Sequence, residues 1–444
     1  MKEKEFRKYT KYKTSGVEWI GEIPEHWELK RTKWVYRESK TRNRDLKYAD
    51  DDLLSVSEYY GVAKRVEKID NNDILNRAES LSEYKVVKKG ELVINIMLAW
   101  KKGLGVSSFE GIVSPSYCVY KLISVNADPN YFHYLYRTDL YAESFRRFSR
   151  GIIESRLRLY SEEFFNILTL LPPLTEQTAI ANFLDEKTAK IDSLIEKKKK
   201  LIELYKEEKT AQINQAVTRG INPNVKLKPS GIDWLGDIPE HWEVKKLKYV
   251  ARVQSSNVDK KTNEDEKPVL LCNYIDVYKN EFIDHSINFM EATAKEKEIE
   301  KFILKQDDVL ITKDSETPDD IANPAYVTKD FENVICGYHL AQIRANNKEL
   351  SGKFLFRLFQ SKRFNSHFEV SANGVTRFGL PLDSITDVKI TFPSLIEQQQ
   401  IVEYIESETK RIDDKIARAE KEIELLQEYR TALISEVVTG KIKV

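Results

Sequence analysis

The sequence predicts an α+β protein made by internal duplication, in which two globular domains are separated by two long antiparallel helices that form a coiled coil. Three observations predict this fold. A long helical pattern occurs twice, a tryptophan-containing segment occurs twice, and a mixed strand-and-helix pattern of ordinary domain length precedes each helical pattern. The predicted order is globular domain, helix, globular domain, helix, with a pseudo-twofold relation between the halves.

The helical pattern runs over residues 175–218 and again over residues 396–439, with no internal glycine or proline. Apolar residues recur at steps of three and four, which is typical of a long helix with one buried face. Each core position of the second copy is the first-copy number plus 221. The predicted coiled-coil core comprises Ile180, Leu184, Ile191, Ile195, Ile202 and Tyr205 in the first helix and Ile401, Ile405, Ile412, Ile416, Ile423 and Leu426 in the second.

A helix of this length rises roughly 65 Å, and its single apolar stripe needs a partner helix. Parallel packing would need a long return loop, and the segment 220–229 is too short for one. Antiparallel pairing is therefore predicted. Both helices begin at a proline followed by Glu-Gln, which favours the helix dipole, and both are predicted to stop at a glycine, Gly220 or Gly440.

The tryptophan-containing segment covers residues 14–27 and returns at residues 229–242 with both tryptophans, both glycines and the final Pro-Glu-His-Trp retained. Such a match indicates duplication. We interpret the tryptophans as packing anchors of a docking segment that lies against the end of a long helix; a ligand cage is the alternative. His26 and His241 have no Cys or His at metal-binding spacing, so they are predicted to be turn residues.

The predicted organisation has five segments. Strands are expected at 53–57, 91–97 and 117–123 and a helix at 129–148, and the pattern around 308–312 and 352–368 repeats this scheme in the second half. Because the two globular domains otherwise share little sequence, each is expected to recognise something different. The segments are a docking segment (1–28), a globular domain (29–171), a spacer helix with linker (172–228), a second docking segment with its globular domain (229–391) and a second spacer helix (392–444).

Composition limits the possible functions. Lys and Arg number 71, as do Asp and Glu, so any contact with nucleic acid must use local basic patches. Three cysteines, far apart in sequence, favour a reducing compartment over a disulfide framework or zinc knuckle. The amino terminus lacks the apolar core of a signal peptide and no apolar stretch is long enough to span a membrane, so a cytoplasmic location is predicted.

No catalytic set is recognisable in the sequence. Leu171-Pro172-Pro173-Leu174 lacks the polar and aromatic ends of the amino-methyltransferase loop, and Gly103-Leu104-Gly105 lacks the third glycine of a dinucleotide site. No phosphate-binding Gly-x-x-x-x-Gly-Lys-Ser/Thr loop occurs. The chain is therefore predicted to be a binding protein with no catalytic, cofactor-binding or metal-binding residues of its own.

Basic residues gather near the end of each globular domain, together with an Asn and a Thr that could contact base edges or phosphates. Charge runs are more often solvated faces, so this DNA-binding interpretation competes with a purely structural one. The candidate DNA-binding residues are Arg147, Arg150, Arg156, Arg158, Lys362, Arg363, Asn373, Thr376 and Arg377.

Taken together, these features resemble the specificity subunit of type I restriction-modification systems. The residues that carry the resemblance are 172–180 and 393–401, the segments around Gly151 and Gly374, and the two Ser-Gly-x-x-Trp-x-Gly-x-Ile-Pro-x-His-Trp blocks. The resemblance implies two target recognition domains, each binding one half of a split double-stranded DNA sequence. It also implies two DNA methyltransferase (M) subunits that carry S-adenosylmethionine, and restriction/translocase (R) subunits, as partners of a non-catalytic chain.

Two recognition domains on one face of a duplex would lie roughly 34 Å apart. The length of the helices is therefore expected to set the length of the unspecified spacer between half-sites. The rival interpretation is a non-catalytic interaction scaffold with two peptide-binding domains on a coiled-coil spacer. Neighbouring genes for an adenine methyltransferase and a helicase-like nuclease would favour the first. An enzyme acting alone would need a cofactor or metal site.

Overall fold

The computed structural model describes residues 7–65 and 81–444. The chain divides into two compact units, unit 1 (Met1–Lys198 with Lys421–Val444) and unit 2 (Lys199–Glu420). Each unit combines strands, short helices and parts of two long helices, so the predicted α+β class is confirmed. The five-segment division of the sequence stays a prediction.

Unit 1 has a four-stranded antiparallel sheet in the order β4-β11-β8-β9, beside smaller pairs of strands. The helices are α1 (Pro129–Tyr136), α2 (Asp139–Phe148), α3 (Ser161–Asn166) and the start of α4 (Leu174–Arg219). The strands β1 to β12 cover, in order, Tyr12–Thr14, Glu22–Pro24, Glu28–Arg31, Tyr36–Ser39, Leu54–Ser57, Gly61–Lys64, Lys85–Val87, Leu92–Asn95, Leu104–Val106, Gly111–Val113, Tyr117–Leu122 and Leu168–Leu171.

Unit 2 has a five-stranded sheet in the order β16-β24-β20-β22-β18 and a three-stranded sheet in the order β19-β17-β23. The helices are α5 (Tyr274–Lys279), α6 (Glu296–Phe302), α7 (Gly352–Phe359), α8 (Lys362–Ser371), α9 (Leu382–Thr386) and most of α10 (Leu395–Val438). The strands β13 to β27 cover, in order, Leu227–Pro229, Asp237–Pro239, Glu243–Lys246, Ala251–Ser255, Lys267–Cys272, Phe282–Ile283, Met290–Ala294, Asp308–Thr312, Asp314–Ser315, Pro324–Val327, Val334–Cys336, Leu340–Ala345, Asn373–Gly374, Phe378–Gly379 and Lys389–Phe392.

The long helices α4 and α10 pair antiparallel in both units. In unit 1, Asp192 binds Arg430 (Oδ1 to Nε, 3.0 Å), and Lys198, further along α4, binds Glu422, which is earlier in α10. In unit 2 the same progression continues. There Arg411 binds Glu208 (3.0 Å) and the hydroxyl of Tyr404 donates to Gln212 (2.9 Å). The predicted antiparallel arrangement is therefore confirmed within each unit.

The apolar stripe of each long helix is withdrawn from solvent. Tyr205, Ile416, Ile423 and Leu426 are half-buried. Burial of this stripe stabilises helices that could not persist alone. The fully buried stripe positions are Ile180, Leu184, Ile191, Ile195, Ile202, Ile401, Ile405 and Ile412.

The single helix predicted over 129–148 is wrong, because it consists of α1 and α2. Arg137 ends α1, and Thr138 has an extended backbone whose side-chain oxygen accepts a hydrogen bond from the N–H of Tyr141 at 3.3 Å. This N-cap starts a new helix in a new direction. The helix predicted over 352–368 is likewise divided, into α7 and α8.

The repeated tryptophan segment and the Glu-Gln helix start form one structural device. In unit 1, Glu176 Oε1 accepts from Trp27 Nε1 at 3.2 Å, and Oε2 lies 2.8 Å from His26 Nε2. In unit 2, Glu397 makes the same contacts to the indole (3.1 Å) and imidazole (2.7 Å) that end its own segment. The two histidines are therefore more than the turn residues predicted, since each closes the docking segment onto the start of a long helix.

The glutamine that follows each of these glutamates is also engaged. Gln177 is fully buried, and its Nε2 donates to the carbonyls of Asn126 (3.0 Å) and Pro172 (2.7 Å). Its Oε1 accepts from the N–H of Asp128 at 2.9 Å. Gln398 makes three bonds of the same kind in unit 2. Glu-Gln thus fastens each long helix to a docking segment and to the start of a helix in its globular domain, α1 in unit 1 and α7 in unit 2.

The end of each long helix lies against a docking segment, as predicted, and the two contacts differ in tightness. A Cβ at Gly440 would overlap Cδ of Pro24 and lie 3.2 Å from the ring of Trp27. A Cβ at Gly220 would meet nothing closer than 3.6 Å. Both glycines have φ near the left-handed region, +77° and +74°.

Gly440→Ala is therefore expected to lower the free energy of unfolding by about 3 kcal/mol or more, and Gly220→Ala by about 1 kcal/mol. Gly220→Ala carries only the backbone strain, whereas Gly440→Ala adds a clash with proline and indole atoms. Denaturant unfolding of both variants and the native chain would measure the difference. Equal losses would contradict this packing.

The described part of the chain has neither a cluster of metal-binding side chains nor a membrane-spanning helix. Across 7–65 and 81–444, no three His, Cys, Asp or Glu side chains are grouped so that they could hold a metal ion. Within the same residues, no helix combines the length and apolar character needed to cross a membrane.

Candidate nucleic-acid interface

Each unit carries one exposed hairpin built on a glycine, and most of the predicted DNA-binding residues lie on these hairpins. Hairpin 1 (residues 150–158) is closed by two backbone hydrogen bonds of 2.9 Å between Arg150 and Arg158. Hairpin 2 (residues 373–379) is closed by pairing of Asn373 with Gly379 and of Gly374 with Phe378. The tips are apolar and exposed, since Ile152 and Val375 have little or no cover.

The glycines are required because the opposite side of each hairpin passes directly over them. Gly151 and Gly374 have φ of +153° and +155°. A Cβ at Gly151 would lie 2.6 Å from the carbonyl oxygen of Arg156. A Cβ at Gly374 would overlap the carbonyl oxygen of Arg377. Arg156 and Arg377 therefore occupy equivalent places, each across its hairpin from the glycine.

Equivalent strands, one in each unit, support the two hairpins. The N–H of Leu159, just after hairpin 1, donates to the carbonyl of Ile96 at 2.9 Å. The N–H of Leu380, just after hairpin 2, donates to Lys313 at 2.8 Å. Ile96 and Lys313 each directly follow a fully buried strand, β8 and β20. Each hairpin is thus fixed to the central strand of its own sheet.

The predicted DNA-binding residues of unit 1 form two groups, those exposed to solvent and those engaged by other groups of the protein. Arg147 and Arg156 are exposed to solvent. Arg150 is bound to Glu163, and Arg158 is half-buried with its Nη1 donating to the carbonyl of Leu157 at 2.9 Å. Arg147 and Arg156 are consequently available to a ligand, whereas Arg150 and Arg158 stabilise hairpin 1.

The predicted residues of unit 2 are separated into two places. Asn373, Thr376 and Arg377 lie exposed on hairpin 2. Lys362 and Arg363 lie at the start of α8, whose ten residues place them about 15 Å from the hairpin. Arg363 donates to the carbonyl of Leu235 in the docking segment and so has a structural role.

Sequence reasoning missed the role of Arg137 in unit 1. Its guanidinium donates to the carbonyls of Lys102 (2.9 Å), Leu104 (2.7 Å), Glu58 (3.0 Å) and Tyr59 (3.0 Å). Burial lowers its pKa to about 10, so the side chain stays charged at neutral pH. These bonds hold the turn between β5 and β6 against the loop after β8.

The two loops held by Arg137 present aromatic and basic side chains together. Tyr59 is 83% exposed at the turn between β5 and β6. In the loop after β8, Lys101 Nζ lies 5.0 Å from the ring centroid of Trp100. Arg146 of α2 also approaches this ring, with its Cζ 5.9 Å from the centroid. Aromatic faces among cations are typical of surfaces that contact nucleic acid. Lys102 adopts the left-handed conformation at φ +66°, which makes this loop sharp.

Beside Arg137, His133 couples the fold of unit 1 to pH. Its Nδ1 accepts from the N–H of Val106 at 3.2 Å, and burial lowers its pKa to about 3. In the unfolded chain a histidine titrates near pH 6.5. As pH falls below 6.5, the unfolded chain therefore binds this proton while the folded chain does not, and stability is lost.

We expect His133 to remove about 1 kcal/mol of stability between pH 6.5 and pH 5. His133→Gln cannot take up the proton, so the difference in unfolding free energy between the native chain and this variant should shrink or change sign over that interval. Denaturant titrations of both proteins at several pH values would measure it. Parallel pH profiles would show that His133 is protonated in the folded state.

Unit 2 presents its own aromatic and basic group beside hairpin 2. Tyr338 is half exposed in the turn between β23 and β24, and Lys313 Nζ lies 5.1 Å from its ring centroid. The adjacent His339 contacts Arg377 of the hairpin. The sequence signal for this turn was Gly337-Tyr338-His339 between two apolar strands, which did not suggest a site by itself.

The chain is similar to known proteins over most of its length. The family model for the type I restriction modification DNA specificity domain matches residues 239–425. The specificity subunit of the type I restriction enzyme MjaVIII from Methanocaldococcus jannaschii is 26% identical over 281 residues, and the alignment covers 63% of each chain. The chain thus spans somewhat less than two thirds of that relative. The putative MjaX specificity subunit of the same organism is 25% identical over 445 residues, 96% of each chain.

Two solved structures share the fold. One belongs to work on complex assembly and conformational transition of the type I R-M system, with a TM-score of 0.68 and 14% identity over 95% of this chain and 99% of that chain. The other is the HsdS subunit from Thermoanaerobacter tengcongensis, with a TM-score of 0.56 and 14% identity over 95% and 98%. By sequence the chain is therefore similar to type I restriction enzyme specificity subunits, and it shares the fold of these two solved structures.

Proposed function

We propose that this chain is the DNA-reading subunit of a type I restriction-modification complex and that each unit binds one half of a split double-stranded sequence. The observation that carries the proposal is the pair of hairpins. Each unit has a glycine hairpin attached next to an equivalent strand, yet the side chains around the two hairpins differ. Equivalent hairpins with different surrounding side chains are what we expect of two domains that recognise two different half-sites.

The chemistry of the two surfaces suits DNA. Arg156 and Arg377 present cationic forks at equivalent places. An aromatic ring lies near each hairpin: Trp100 contacts Arg146, which binds Glu154 of hairpin 1, and Tyr338 adjoins the histidine that contacts Arg377 of hairpin 2. Arginine forks bind phosphates and the guanine edge, and aromatic rings pack on sugars and bases. Because the whole chain has no net charge, binding depends on these local surfaces.

In this proposal the chain supplies recognition and its partners supply the chemistry. Two DNA methyltransferase subunits would carry S-adenosylmethionine and modify the bound target, and restriction/translocase subunits would join the restricting complex. Similarity to type I restriction enzyme specificity subunits supports these partners. A DNA target and these partners also favour a cytoplasmic location.

Selection from a random pool of duplex DNA by the full chain with its methyltransferase subunits tests the proposal. We expect enrichment of sequences with two specified parts and an unspecified gap. Enrichment of no sequence would contradict DNA reading, and binding to a peptide library instead would favour the scaffold with two peptide-binding domains. A chain that methylated the pool without its partners would contradict the non-catalytic role.

A further inference from the structure

The turn between β23 and β24 in unit 2 holds a histidine in an uncommon conformation. His339 has φ +73°, in the left-handed region that non-glycine residues rarely adopt. Its Nδ1 lies 2.6 Å from Oδ2 of Asp314, which belongs to the short strand that also pairs with hairpin 2. Strained backbone of this kind persists where surrounding contacts fix it, and it is concentrated at functional sites.

Arg377 lies over the imidazole of His339. Its Nη2 is 3.4 Å from Nδ1 and also 3.4 Å from Nε2. Equal distances to both ring nitrogens place the guanidinium nitrogen over the face of the ring, since a hydrogen bond would favour one nitrogen. One N–H of Arg377 therefore points at the imidazole ring, and the arginine side chain remains exposed.

This contact holds one N–H of the guanidinium against His339 and leaves its other N–H donors available to a ligand. Within residues 7–65 and 81–444, Arg377 forms no salt bridge, because the nearby carboxylate of Asp314 is engaged by His339. Lys313 and Tyr338 border the same place and add a second cation and an aromatic ring. A phosphate contact needs only positive charge, whereas a fixed planar fork of donors matches the two acceptors O6 and N7 of guanine.

We propose that Arg377 reads a guanine in the major groove of the half-site bound by unit 2, and that His339 and Asp314 are positioning residues for it. The inference rests on the proposed function and names the side chain that determines one position of the target. Arg156 is the equivalent residue of unit 1 and provides a matched control, because its substitution should alter the other half-site only.

The test uses the full chain assembled with its methyltransferase subunits and a random duplex pool, comparing the native chain with Arg377→Ala, Arg377→Lys and Arg156→Ala. Arg377→Ala should reduce discrimination at one guanine about 10- to 100-fold while leaving the other half-site unchanged. Arg377→Lys keeps the charge but loses the fork, so it should retain binding while relaxing the same position. Arg156→Ala should leave that guanine preference intact.

His339→Ala and Asp314→Asn should relax the same guanine position by a smaller factor, and retained specificity at the other positions of that half-site shows that unit 2 of each variant is folded. A uniform loss of affinity for all sequences on Arg377→Ala would overturn the proposal in favour of a phosphate contact, as would full guanine preference in Arg377→Lys. A native chain that enriches no split sequence would contradict the proposed function itself. A native split sequence that Arg377→Ala leaves unchanged would contradict only this inference.

Discussion

Replacing Gly374 by alanine is expected to abolish recognition of the half-site read by unit 2 and to leave the other half-site specified. The added Cβ would overlap the carbonyl oxygen of Arg377 at φ +155°, so hairpin 2 cannot keep its conformation. Because a single mismatched position costs about 1–3 kcal/mol in a protein–DNA complex, loss of the hairpin should weaken binding to the intact target at least 10-fold. Gly151→Ala should do the same to the other half-site.

Competition binding with the native target and with targets scrambled in one half measures this effect. Gly231→Ala is the matched control, since Gly231 also has a positive φ (+70°) but its Cβ would meet nothing within 4 Å. It should leave both half-sites specified. If Gly374→Ala weakened both halves equally, the hairpin would be a general structural element and its assignment to one half-site would be wrong.

The second large effect is expected from Gln398→Glu, which should lower the free energy of unfolding by about 3 kcal/mol or more. The Nε2 of Gln398 donates to the carbonyls of Glu349 (2.6 Å) and Pro393 (2.9 Å), and the residue is fully buried. A carboxylate there would face two carbonyl oxygens without a donor, and burying such a group is costly. The start of α10 would lose its attachment to the globular part of unit 2.

Gln400→Glu makes the same chemical change at an exposed position of the same helix and should change stability by less than about 0.5 kcal/mol. Denaturant unfolding gives the magnitude. Hydrogen exchange at the N–H of Ser351, which donates to Gln398 Oε1 at 2.9 Å, tests whether the loss of stability lies in unit 2. Equal stability of the two variants would contradict a structural role for the Glu-Gln pair.

The long helices could be predicted because their signal is local. Ile180, Leu184 and Ile191 follow one another at steps of four and seven residues, so periodicity alone identifies the buried face. The break at Thr138 was missed because apolar residues on both sides continue a helical pattern, and a side-chain cap decides the outcome. Capping depends on one hydrogen bond, whereas periodicity averages over many residues.

The candidate site was predictable only in part. The segments around Gly151 and Gly374 could be aligned, but the reason for each glycine is a carbonyl on the opposite side of a hairpin. Asp314, His339 and Arg377 come from three separate segments, and only the fold brings them together. Basic residues close in sequence were grouped on sequence distance alone, which joined the start of α8 to hairpin 2 although the length of the helix separates them.

The most direct test of split recognition is single-molecule sequencing of DNA methylated by the complete complex. We expect one motif with two specified parts and an unspecified gap of constant length, methylated in both parts. A continuous motif, or methylation without sequence preference, would contradict the assignment of one half-site to each unit.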